Sequence, residues 1–136
     1  MADIMSGPAR SRLMSRIRGK DTAPELRVRR YLHSRGLRFR LHVKDLPGRP
    51  DMVFPRYRTA LFVHGCFWHQ HPGCTHAVMP TSNTEFWKSK LEGNVLRDHR
   101  QASVLESLGW RVLFVWECEV RDSERLERLF REITSC

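Results

Sequence analysis

Residues 59–74 read TALFVHGCFWHQHPGC. The opening TALFV is almost continuously apolar, the pattern of a strand covered on both faces, and it puts this segment at the centre of a sheet. From His64 onward the character changes: two cysteines, three histidines and a Phe-Trp pair fill the next eleven positions, 64–74. Upstream, Leu37, Phe39, Leu41 and Val43 alternate with Arg38, Arg40 and His42, which predicts a half-buried strand over 37–43 with one basic face. Leu46 to Pro50 reads as a turn, Asp51 to Phe54 as a short strand and Pro55 to Arg58 as a second turn, so these two strands and Thr59–His64 make a meander. Before them, Asp21-Thr22-Ala23-Pro24-Glu25 supplies a capping residue, an early proline and an acidic first turn, and Gly36 ends the helix expected over 23–35.

Downstream, a loop runs from Gly65 to about Asn83. Loops of that length are usually functional or tied down by something. Thr84 is read as the cap of a helix reaching Leu108, with Phe86, Leu91, Val95, Val104, Leu105 and Leu108 as its core positions and Gly93 as a weak point. Gly109 ends it. Trp110 to Trp116, WRVLFVW, is a second buried strand, and Ser123 to Ile133 a short charged amphipathic helix. The order α-β-β-β-α-β-α contains one strand–helix–strand crossover, so strands 59–64 and 110–116 should be parallel and end on the same sheet edge. The fold class is α/β, a mixed sheet flanked by helices.

A chain of 136 residues builds one core, read here as a single domain over 21–136 behind a basic arm at 1–20. No run reaches the roughly eighteen apolar residues that would cross a membrane. Arg10, Arg12, Arg16, Arg18 and Lys20 come without an apolar signal segment, which favours the reducing cytosol. There, cysteines are ligands or free thiols more often than disulfides. The net charge of +9 is unevenly placed: residues 1–50 hold thirteen Lys/Arg against four Asp/Glu, and 51–136 hold eleven of each. A basic arm and a basic first helix suit nucleic acid.

Cys66, His71 and Cys74 follow a Cys-x4-His-x2-Cys spacing, three ligands for a tetrahedral zinc. Cys118, just past the strand that ends at Trp116, should reach the same sheet edge as Cys66 and complete a Cys3His site that anchors the loop. His76 is the substitute if His71 is not used, and Cys136 should be free.

One large nuclease superfamily, that of the restriction endonucleases, shares this αβββαβ core and carries Pro-Asp on its second strand, here Pro50-Asp51, with an acidic-x-Lys on the third. Phe62-Val63-His64 stands in the latter place. With SRIRGKDTAPEL (15–26), LPGRPDMVFPRYR (46–58), FVHGCFWHQHPGC (62–74), NTEFWKSK (83–90) and LGWRVLFVWEC (108–118), the sequence closely resembles the very-short-patch-repair (Vsr) endonucleases over about residues 14–120. The resemblance implies a bacterial enzyme, cytoplasmic and nucleoid-associated. It would nick DNA 5′ of the thymine in a T:G mismatch left by 5-methylcytosine deamination, alongside a companion cytosine-5 DNA methyltransferase.

It further implies that Asp51 binds Mg2+ together with the main-chain carbonyl of Val63, and that His69 is the general base, supported by His64 and Glu25. Phe67, Trp68 and Trp87 would wedge into the base stack beside the mismatch, and Arg12, Arg16, Arg18 and Lys20 would follow the DNA backbone. These roles are chemically coherent. Mg2+ needs only one or two carboxylates when waters and a phosphate complete its shell, and a histidine can take a proton near neutral pH. At least one of Phe67 and Trp68 should be exposed, because ligands flank both, and one of Phe86 and Trp87 should face away from the core. Nicking one strand requires one active site, so a monomer is the simplest state. A zinc-stabilised DNA-binding module without catalysis and a mismatch glycosylase are the competing functions.

Overall fold

A computed structural model describes residues 22–135. The arm at 1–20, with Arg12, Arg16, Arg18 and Lys20, and Cys136 lie outside the described residues. The elements are α1 (Ala23–Ser34), β1 (Arg40–Leu41), β2 (Met52–Phe54), β3 (Thr59–His64), α2 (Thr84–Ser107), β4 (Arg111–Trp116) and α3 (Ser123–Thr134). They form a mixed sheet of order β1-β2-β3-β4, antiparallel except for the parallel β3–β4 pair that α2 connects. That pair runs in register from Thr59 opposite Arg111 to His64 opposite Trp116, so both strands end at one edge.

Alternation along β3 and β4 divides the core in two. Leu61 and Val115 join Val28 and Leu32 of α1 and Leu126, Leu129 and Ile133 of α3 on one face. Ala60 and Phe62, with Val112 and Phe114, meet Leu105 of α2 on the other. β3 is thus covered on both sides, the physical reason for its unbroken apolar run, and burying each such side chain contributes roughly 1.5–3 kcal/mol.

Local chemistry explains the helix ends. The Thr22 hydroxyl accepts the Glu25 N–H at 3.4 Å at the start of α1, and Gly36, at φ +90°, ends it. Asp122 caps α3 by accepting the Glu124 and Arg125 N–H groups.

Three expectations are corrected. The strand expected over 37–43 is reduced to Arg40–Leu41, both exposed, and it stops there because His42 turns to φ +48° and leaves the extended region. Thr84 does not cap α2: Asn83 holds the cap position at φ +52° without a side-chain hydrogen bond, and Thr84 is the first helical residue. Of the apolar positions assigned to the core side of α2, only Leu91 and Leu105 are buried. Phe86, Val104 and Leu108 are exposed, because the stripe facing the sheet is Leu91, Asn94, Asp98, Gln101 and Leu105, polar in its middle.

Candidate functional site

The polar middle of α2 roofs a cleft of about 820 Å³ over the C-terminal end of β3. Asp51, Val63, His64 and His69 line it from the sheet side, Glu25 from α1, and Asn94 and Asp98 from α2. Glu25, Asp51, Val63, His64 and His69, expected to act together, thus meet, although they come from four segments of the chain.

Asp51 precedes β2, and its carboxylate accepts the Val63 N–H at 2.6 Å. Burial is the main influence on it and raises its carboxyl to about 7, with the nearby Glu25 adding to the rise and the Val63 hydrogen bond opposing it. Glu25 is only 5% exposed. Arg29 Nη2 holds it at 3.2 Å, and His42 Nε2 lies 3.6 Å from the same oxygen. Oxygen and nitrogen atoms of Glu25, His42 and Asp51 all fall within 4.8 Å of one another. Two carboxylates this close repel, and a hard divalent cation would relieve both the repulsion and the burial cost, so these residues fit Mg2+.

His69 Nδ1 lies 2.6 Å from Asp98 Oδ2. Its ring rests flat on that of His64, with centroids 3.7 Å apart and planes inclined by 4°. Burial, with His69 beside it, lowers His64 to about 3, so the lower ring of the pair stays neutral near pH 7. Asp98, Arg29 and His42 belong to the site although sequence reasoning does not place them there. For Asp98 a signal exists: an acidic residue at an inward position of a helix, between Leu91 and Leu105. For Arg29 the signal is its place four residues after Glu25 on the same helix, and for His42 there is none, since it sits on the basic face of a strand pattern.

Cys66, His71, Cys74 and Cys118 converge, with their ligand atoms all within 4.8 Å of one another. Cys66 Sγ and Cys118 Sγ lie 3.7 and 3.4 Å from His71 Nδ1. Bonds of about 2.3 Å to sulfur and 2.0 Å to nitrogen at the tetrahedral angle place a sulfur and a nitrogen about 3.5 Å apart, so these two pairs have the spacing of zinc ligands and the four donors fit that ion. Burial first, and the neighbouring Cys118 and Cys74 sulfurs after it, push the Cys66 thiol up to about 12, a cost that a bound dication reverses. Glu117 accepts the Cys66 N–H at 2.9 Å and ties the start of the loop to the end of β4. His76 is exposed and outside the cluster.

Phe67 and Trp68, which also line the cleft, cluster with Trp87, with centroids 5.0 to 6.1 Å apart. Contrary to expectation, neither Phe67 nor Trp68 is fully exposed; each is half-buried against the other and Trp87. Phe86, 61% exposed, is the one of its pair that faces solvent.

Residues 2–75 match the family description "DNA mismatch endonuclease Vsr". The chain is 51% identical over 133 residues to the type II nicking enzyme V.XorIIP of Xanthomonas oryzae pv. oryzae, covering 98% of this chain and 97% of the relative. It is 48% identical over 126 residues to the DNA mismatch endonuclease Vsr of Escherichia coli K12, covering 93% of this chain and 80% of the relative. With a carboxylate-and-histidine cleft on a mixed α/β sheet, this similarity makes the protein a DNA endonuclease. The chain belongs to the Vsr DNA mismatch endonuclease family.

Proposed function

We propose that the protein nicks one strand of duplex DNA on the 5′ side of the thymine in a T:G mismatch produced by 5-methylcytosine deamination, and so starts very short patch repair. The single observation that carries the chemistry is the His69–Asp98 pair at 2.6 Å beside Asp51. With Nδ1 directed to Asp98, the ring offers Nε2 to a water in the cleft, and the carboxylate stabilises the imidazolium that forms when His69 takes the proton. Asp51 and the Val63 carbonyl hold Mg2+, with Glu25 beside them and His64 beneath the base. The ion supplies charge neutralisation at the scissile phosphate.

Cys66, His71, Cys74 and Cys118 hold a structural zinc that fixes the loop carrying His69, within a single restriction-endonuclease-like domain over 21–136. The Phe67, Trp68 and Trp87 cluster supports a wedge. Unstacking a base step costs about a few kcal/mol and least at a mismatch, so the wedge favours mismatched sites. The arm, through Arg12, Arg16, Arg18 and Lys20, tracks phosphates. The protein acts as a monomer in the bacterial cytoplasm, in company with a cytosine-5 DNA methyltransferase.

A nicking assay on a duplex with one T:G pair tests this reading, with and without EDTA, using the wild-type protein, Asp51→Ala and His69→Ala. A single nick 5′ of the thymine, dependent on Mg2+ and lost in both variants, is expected. Undiminished cleavage by both variants would assign the chemistry to other residues, and release of free thymine in EDTA would make the protein a glycosylase.

A further inference from the structure

One hydrogen bond to Asp98 sets the direction of the His69 ring but leaves its plane free to swing about that contact. A column of rings beneath it supplies the missing restraint. His64, 5% exposed, lies flat under His69 and is packed in turn against Phe114 at 4.9 Å and Phe62 at 5.7 Å. Trp116, opposite His64 in the parallel register, meets its ring edge-on at 5.2 Å and 71°. On Trp116 also stacks His71, with centroids 4.2 Å apart and planes 10° from parallel. Trp116 therefore touches both the imidazole that belongs to the cysteine cluster and the imidazole on which the base rests.

We infer that Trp116 is a positioning residue for catalysis: it relays the position of His71, through His64, to the plane of His69, so the Cys3His centre aims the base as well as anchoring the loop. The inference rests on His69 being the base. Its chemical sense is geometric. A base must meet the attacking water in line, and an error of about 1 Å at a reacting group can cost roughly 100-fold in rate. A tryptophan spans the distance between two imidazoles and cannot collapse, because the sheet fixes its backbone next to His64. A flexible aliphatic chain at 116 fills volume but does not hold a plane.

The test uses the full chain, zinc-loaded, with Mg2+ and a T:G duplex, and compares Trp116→Leu and Trp116→Phe with wild type and His69→Ala. In Trp116→Leu, single-turnover nicking with enzyme in excess should fall about 10- to 100-fold, while zinc content per chain and the Kd for the duplex stay at wild-type values. Trp116→Phe, which keeps a ring, should recover most of the rate. In DNA-free protein, the His69 ring-proton resonances, displaced by lying over His64, should shift in the Leu variant and stay in place in the Phe variant. Wild-type nicking in Trp116→Leu with unmoved resonances would overturn the inference, as would a slower rate accompanied by an equal fall in zinc content or DNA affinity. Full nicking by His69→Ala would instead remove the reading on which it rests.

Discussion

Asp51 shows what burying a single carboxyl costs the fold and what a cation placed there would return. Its carboxyl titrates at about 7 in the fold, against roughly 4 in an unfolded chain, so the folded protein holds a proton that the unfolded one has released. Between those values metal-free protein loses stability as pH rises, and above 7 the loss is complete, on the order of a few kcal/mol. Asp51→Asn keeps an oxygen for the Val63 N–H and removes the buried charge. It should abolish nicking yet raise the melting temperature in EDTA at pH 8, with the gain fading as pH falls toward 4; thermal scans across pH check the sign. Asp98 predicts a different failure. Asp98→Asn should leave T:G binding unchanged and cut the single-turnover rate about 100-fold or more, measured with enzyme in excess, because His69 loses the carboxylate that stabilises its protonated form. Neither the His69–Asp98 pairing nor the approach of His42 to Glu25 and Arg29 can be read along the chain, whereas Arg29 and Glu25 are an ordinary i,i+4 helix pair. Asp98 is 29 residues from His69, and His42 is 13 from Arg29 and 17 from Glu25, so only the fold makes them neighbours.

At the scale of elements, the sheet edges do the positioning. Arg111, the first residue of β4, donates to the Thr59 hydroxyl at 2.9 Å and to the Glu132 and Ile133 carbonyls at 2.9 and 2.6 Å, joining the starts of two strands to the C-terminal end of α3. Arg111→Met should lower stability by about 1–3 kcal/mol in urea denaturation while leaving nicking per folded molecule intact, since the site lies at the strands' other end. The loop between β3 and α2 behaves oppositely. Cys118→Ser should lose zinc and open residues 65–83 to limited proteolysis, while the core of α1, α3 and the sheet still unfolds cooperatively. The boundaries of β3 and α3 follow from local pattern to within a residue or so. The faces of α2 do not, because its inward stripe serves the cleft. Hydrophobic periodicity assumes that inward means apolar, and Asn94, Asp98 and Gln101 are inward and polar.

For the whole molecule, charge segregation and topology set what binds and where. The excess of Lys/Arg in the first fifty residues should make DNA affinity steeply salt-dependent. A protein lacking residues 1–20 should show a log Kd against log salt slope shallower by about 0.9 for each phosphate that the arm would have neutralised, as fluorescence anisotropy at several salt concentrations would read. The element order, the parallel β3–β4 pair and the candidate ligands Cys66, His71, Cys74 and Cys118 are all legible in the sequence. Strand and helix periods are local properties, and a crossover between parallel strands leaves little choice about which ends meet. What only the tertiary structure decided is the company each group keeps: Asp98 against His69, His42 against Glu25 and Arg29, Trp116 between His71 and His64. Such pairings depend on how α2 lies over the sheet and how α1 turns toward it. That packing is the joint outcome of many weak contacts, and no window of sequence contains it.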